Sequence, residues 1–156
     1  KKGTDKGVID KPFYVKVINK KVEEYFLQRN RVIDTDELKE LYSIDDYILV
    51  GTKKIGYEYT EMFKGKFKDN NGNTKEKYYY THTDFEYSNG DIVITDKPVG
   101  TPEIRHHFTT HSIQGETIKP PLKIFIDSSK MFDSRMFYTA ISRAVKLDQI
   151  YIVKKY

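Results

Sequence analysis

Hydrophobic residues along this chain fall into two spacings, and the places where one gives way to the other predict its elements. Tyr47-Ile48-Leu49-Val50 is an unbroken apolar run closed by Gly51 and Thr52, the pattern of a strand buried on both faces. After it, Ile55, Tyr59, Met62, Phe63 and Phe67 recur at helical spacing and predict a helix over 53–67. Strand, Gly-Thr turn and helix make half of a right-handed βαβ unit. Residues 122–127 read as a second buried strand, 134–145 as a helix capped by Asp133, and 149–153 as a closing strand. On that helix Tyr138, Ile141 and Val145 fall three and four apart and are expected to face the sheet. Thr139, Ser142 and Arg143 then lie near a surface.

Upstream, residues 1–12 are rich in Lys, Gly and Asp and are expected to be a loose lead-in, with a short strand at 13–17. A helix over 19–30 would carry Val22, Tyr25, Phe26 and Leu27. Asp34 followed at the third position by Glu37 has capping-box spacing, with Leu38 and Leu41 on the buried face. Residues 69–73 form a polar turn cluster. Residues 77–81 and 91–95 read as β segments, and Ser88-Asn89-Gly90-Asp91 as a tight turn. Strands alternating with helices argue for an α/β fold on a mainly parallel sheet flanked by helices, with a small β-hairpin added.

Composition sets limits on this picture. The 156 residues suffice for one compact domain with a core. Apolar residues at 38% and charged residues at 32% suit a globular chain rather than a disordered one. No apolar run reaches the length of a membrane span, and no signal peptide is visible. The absence of cysteine excludes disulfide partners and thiolate metal sites, and it fits an intracellular setting: cytoplasm, nucleus or a viral replication site. A net charge of +4 is compatible with phosphate binding but does not by itself point to nucleic acid. The 13 Tyr and 9 Phe, with abundant Lys, Ile and Asn, match codon usage in an AT-rich genome, such as that of a large DNA virus.

Two segments carry candidate chemistry. Thr109-Thr110-His111-Ser112-Ile113-Gln114-Gly115-Glu116-Thr117 gathers hydroxyls, an imidazole and a carboxamide, all able to bond phosphate or sugar oxygens without reading a base. Gly115 within it is expected to let the backbone approach closely. Phe137-Tyr138-Thr139-Ala140-Ile141-Ser142-Arg143-Ala144 places one guanidinium, always charged and forked, among small residues. Both segments are expected at junctions of strand and helix, where unpaired backbone N–H groups point outward.

In this order the two segments resemble motifs V and VI of superfamily 1 helicases, on the RecD-like branch. The resemblance is close over 108–153 and loose from residue 32. It implies a RecA-like, P-loop-NTPase-type domain over residues 31–156, the second motor domain of an ATP-dependent DNA helicase, with 1–30 as a lead-in. It makes Arg143 the catalytic arginine that reaches a γ-phosphate held by the first RecA-like domain. It sets Gln114, Gly115 and Glu116 beside the ATP cleft, and Thr109, Thr110, His111 and Ser112 against single-stranded DNA. Thr110 and His111 stand as direct neighbours, a small departure from the family's Thr-x-His spacing. Tyr47 to Thr52 resembles motif IV, with Lys53 where relatives have Asn; in place of that polar contact, Lys53 and its neighbour Lys54 are able to touch a phosphate. Tyr87-Ser88-Asn89-Gly90-Asp91 resembles the turn that precedes motif V. The small SH3-like barrel inserted there in many relatives is expected to be absent or reduced to a loop.

The chain has no Gly-x-x-x-x-Gly-Lys-Ser/Thr and no Asp-Glu pair at a strand end. ATP with Mg²⁺ is therefore expected to be held mainly by the first domain of the same polypeptide, and this chain alone to be inactive. His82, His106, His107 and His111 lack ligand spacing with a carboxylate, so no metal site is expected, and Asp127 has no Mg²⁺ role by resemblance. Phe125 and Phe132 read as core aromatics. Two other readings fit the same residues: a nucleic-acid-binding module that keeps the scaffold without turnover, and an α/β interaction domain.

Overall fold

A computed structural model describes residues 20–113, 115–131 and 134–154. The expected strand at 13–17, the lead-in at 1–12, the cap at Asp133, Phe132 and Gln114 lie outside the described residues. Helix α1 (residues 20–27) precedes β1 (Val32–Ile33), α2 (Thr35–Leu41), β2 (Tyr47–Val50) and α3 (Lys53–Phe63). Then come β3 (Glu76–Tyr79), β4 (Ile92–Thr95), β5 (Glu103–Ile104), β6 (His107–Thr109) and β7 (Ile124–Asp127). Helix α4 (Ser134–Ile141), a 3₁₀ turn (Leu147–Gln149) and β8 (Ile150–Val153) complete the order.

Five strands form one sheet in the order β1-β8-β7-β2-β6, and every pairing in it is parallel. The sheet is covered on both faces, as all-parallel sheets require. Leu49, Ile124 and Ile126 share one core with Phe26 of α1 and with Phe137 and Ala140 of α4. The alternate residues Ile48, Val50 and Phe125 share the other with Leu38 of α2 and with Tyr59 and Phe63 of α3. Alternation along β2 and β7 thus assigns α1 and α4 to one face, α2 and α3 to the other.

Local signals explain several boundaries. The Asp34 carboxylate accepts from Glu37 N–H (2.8 Å) and the Glu37 carboxylate accepts from Asp34 N–H (3.4 Å), closing the capping box. Thr52 caps α3 through its hydroxyl, which accepts from Ile55 N–H. That helix stops at Phe63, short of the expected 67, because Gly65 turns the chain with φ of +77°. Phe67 still packs against the same core from beyond the helix end.

Two expectations are corrected. On α4 the core-facing residues are the buried Phe137 and Ala140, with Ile141 partly buried beside them, rather than Tyr138, Ile141 and Val145. Tyr138 is 71% exposed and Val145 54%, and the helix ends at Ile141, so Val145 is not on it. Packing selected the neighbouring stripe: the small Ala140 is fully buried against the sheet, while the polar-tipped Tyr138 stays exposed. Second, the expected hairpin is a three-stranded antiparallel sheet, β4-β3-β5. Its third strand, Glu103–Ile104, is two residues long and too short for periodicity to reveal.

Candidate nucleic-acid and nucleotide interface

The segment 109–118 begins at one end of the parallel sheet and finishes at the other. Thr109 is the last residue of β6, level with Val50 at the end of β2, which is level in turn with Asp127 at the end of β7. Ile118 instead pairs with Ala144, beside the turn that leads into the start of β8. A four-residue strand separates the two ends by roughly 13 Å.

At the carboxyl end of the strands, Ser112 closes a turn: its N–H (3.1 Å) and its hydroxyl (2.8 Å) both donate to Thr109 O. His111 and Ser112 are exposed, Thr109 is half-buried and Ile113 is the apolar anchor. Thr110 is only 2% exposed, so it offers no surface to a strand as the fold stands. Its hydroxyl has no hydrogen-bond partner among the described residues.

Beside this turn run two more loops from strand ends. The chain leaves β2 for α3 and β6 on one side, and leaves β7 for α4 and β8 on the other. The strands β2 and β7 therefore flank the topological switch point, the usual crevice for ligands in open α/β sheets. Its lips are Gly51-Thr52-Lys53 and Ser128-Ser129-Lys130, with Lys53, Lys130 and His111 exposed along one edge. A Cβ on Gly51 would run into the Lys130 carbonyl, so the two loops touch directly. The 128–130 loop carries no motif; its position at the end of an apolar run was its one signal in the sequence.

The Asp127 carboxylate is engaged by the chain itself. It accepts from the Tyr59 hydroxyl (2.5 Å), Ser129 N–H (2.9 Å) and the Ser129 hydroxyl (2.6 Å). Burial and the Asp127 charge push the Tyr59 hydroxyl far above its ordinary pKa, so it remains a donor. No cluster of metal-ligating side chains occurs among the described residues. The histidines are scattered by function. Thr60 accepts from His106 N–H and hydrogen-bonds His107 Nδ1 (2.7 Å), while His106 lies between the Tyr42 hydroxyl (3.0 Å) and Glu76 (3.2 Å). Burial depresses both imidazoles, His107 to about 3 with Arg105 adding to the effect. Both rings are neutral core donors and acceptors.

At the amino end of the strands the two motif-bearing segments meet. Arg143 sits just past the end of α4, at its carboxyl rather than its amino terminus, so the expected junction with free N–H groups is not what surrounds it. Its Nη1 donates to Glu116 O (2.9 Å), its Nε to Thr139 O (3.1 Å) and its Nη2 to Ser142 Oγ (3.2 Å). The Arg143 carbonyl accepts from Ile118 N–H at 2.7 Å. A guanidinium has five N–H donors, so these bonds leave two for a ligand. Gly115 has φ of +90°, yet nothing lies within 4 Å of where a Cβ would stand. Glycine suits this left-handed backbone conformation, and the space beside it is open.

Sequence reasoning missed Gln149. It is 5% exposed, and its amide donates to Ile118 O (3.0 Å) and Leu122 O (2.9 Å). Its side-chain oxygen accepts from Val145 N–H (2.9 Å) and Lys146 N–H (2.8 Å). One buried carboxamide thus fastens the end of one segment to the end of the other.

No protein-family model matches this chain, and no curated protein is matched by it. Among the described residues no helix is long and apolar enough to cross a membrane.

Proposed function

We propose that this chain is the second RecA-like motor domain of a RecD-type superfamily 1 DNA helicase. The observation that carries the reading is the meeting of Arg143 with Glu116 and Ile118. Two segments that resemble separate motifs, with Arg143 lying 27 and 25 positions from Glu116 and Ile118, converge on one polar cluster. The other end of the 109–118 segment, at His111 and Ser112, opens with Lys53 of the neighbouring loop on the crevice side of the sheet. A segment with its two ends on opposite edges suits a domain that grips single-stranded DNA at one edge and meets a nucleotide at the other.

In this reading ATP with Mg²⁺ is held mainly by a first RecA-like domain of the same polypeptide, and this chain is inactive alone. The bound nucleotide supplies the phosphoryl group whose transfer to water drives movement. The residues here do the rest of this domain's work. Arg143 turns its two remaining N–H donors toward developing phosphate charge, held in aim by Thr139 O and Glu116 O. Gly115 and Glu116 border the cleft, and by resemblance Gln114 joins them. Lys53, Thr109, His111 and Ser112 hold backbone phosphate and sugar, a contact that carries no sequence preference. Thr110, being buried, supports that turn from beneath rather than touching the strand.

One observation favours a second reading. Three of the five Arg143 donors are already engaged by the chain itself, which equally suits a strut in a nucleic-acid-binding module without turnover. The two are separated by ATP turnover of the polypeptide that carries this chain with its nucleotide-binding domain. Arg143→Ala is expected to lower DNA-stimulated turnover by about a thousandfold. Turnover absent in the unaltered protein, or unchanged in the variant, would leave the binding module.

A further inference from the structure

A cavity lies away from both ends of the 109–118 segment. It has a volume of about 560 Å³ and opens between α3 and the small antiparallel sheet, lined by Tyr57, Glu61, Lys64, Tyr78, Pro102 and Ile104 among others. That volume falls within the range of sites for small molecules and cofactors, about 300–1,000 Å³. It is on the α3 face of the parallel sheet, whereas Arg143 follows α4 on the other face. It shares no residue with the interface described above.

The walls are held in place. The Tyr57 hydroxyl donates to Glu103 (2.8 Å) and its ring meets the buried His107 ring edge-on at 4.6 Å. The phenol is therefore fixed at both ends, yet 38% of the residue remains exposed. Tyr78 stands on the central strand of the small sheet, paired with Val93 on one side and Ile104 on the other. Pro102 and Ile104 complete an apolar lining. At the rim Lys64 is half-exposed, and its partner Glu61 is distant at 3.9 Å and itself exposed. Such a pair contributes little and leaves the ammonium available to another anion.

Two phenol rings with Pro and Ile favour a flat aromatic ligand. An ammonium at the rim favours an anion attached to it, and the Glu61 carboxylate can accept from an exocyclic amino group. We propose that this cavity is a nucleotide site, taking a base against Tyr57 and Tyr78 and its phosphate on Lys64. A free mononucleotide and one unit of a single strand share this chemistry.

Photo-crosslinking with mass mapping tests the site and separates the two sources. The probes are 5-iodo-2′-deoxycytidine monophosphate and a single-stranded oligonucleotide bearing one 5-iodocytosine, each added to the whole chain. The expected result is label on Tyr57 or Tyr78, with binding at least about tenfold weaker in Lys64→Glu and in Tyr57→Leu, both exposed positions. Label from both probes means that the site accepts a free nucleotide. Label from the oligonucleotide alone assigns it to a strand. Thermal unfolding of the variants shows that the fold is kept. Label at His111 or Lys53 without any on Tyr57 or Tyr78 overturns this site and leaves the proposed function standing. No label and no oligonucleotide binding overturns both.

Discussion

The two ends of the segment from Thr109 to Ile118 are built in opposite ways. At the carboxyl edge of the sheet, the chain closes a turn on itself through Ser112 and leaves His111 and Ser112 in solvent. At the amino edge, Ile118 is paired with Ala144, and Arg143 and Gln149 bind the surrounding carbonyls. One end is adaptable and polar; the other is fixed by side chains from a distant part of the sequence. Adaptable hydroxyls and an imidazole suit a backbone that is gripped and released, whereas a fixed guanidinium suits charge that must be met in one geometry.

The contrast is sharpest under substitution. Gln149→Ala removes a buried side chain that satisfies four backbone groups, and it is expected to destabilise the fold by about 2–4 kcal/mol in urea unfolding. Ser112→Ala at the other end is expected to change stability by less than about 0.5 kcal/mol. Equal effects would mean that the two ends are not built differently.

Acid gives the next effect, and it reports the core beneath both ends. His107 is held at about 3 in the folded chain, chiefly by burial, against about 6.5 when unfolded. Between those values the unfolded chain binds more protons, so the folded state is favoured in full above about pH 6.5 and loses stability as pH falls. The expected slope is about 1 kcal/mol per pH unit from this residue. His107→Gln should flatten the profile measured by urea unfolding between about pH 7 and 5.

Gly115→Ala forces a side chain into the left-handed region without a clash, and is expected to cost about 1 kcal/mol, less in Gly115→Asn. The smallest effect belongs to the open edge. Lys53→Ala should weaken single-stranded DNA binding a few-fold and reduce the salt dependence by about one phosphate contact. Salt dependence unchanged by Lys53→Ala would remove it from that edge.

Much of the fold was legible because its signals are local. The Tyr47–Val50 and Ile124–Asp127 strands are apolar runs, and Asp34 with Glu37 is a cap that needs four residues to recognise. The face of α4 was not legible, since Phe137 and Tyr138 are adjacent aromatics and periodicity alone cannot choose between neighbouring stripes. Nor was the role of Gln149, which reads only as the first residue of the closing strand until Ile118 and Leu122, 31 and 27 positions away, are brought to it. At the candidate site, spacing singled out Arg143 and the 109–117 stretch. It could not show that Thr110 is buried or that the Ser128–Lys130 loop lies alongside, because both depend on the order of strands in the sheet.

The proposed function is tested most directly by comparing DNA affinity and DNA-stimulated ATP turnover side by side in a polypeptide that joins this chain to the proposed nucleotide-binding first domain. Arg143→Ala and the double variant His111→Ala/Ser112→Ala are measured together. The account expects Arg143→Ala to lose turnover by about a thousandfold with affinity nearly unchanged, and the double variant to lose affinity while keeping its turnover at saturating DNA. Loss of the same property in both variants, or full turnover without Arg143, would contradict the division of labour between the two edges.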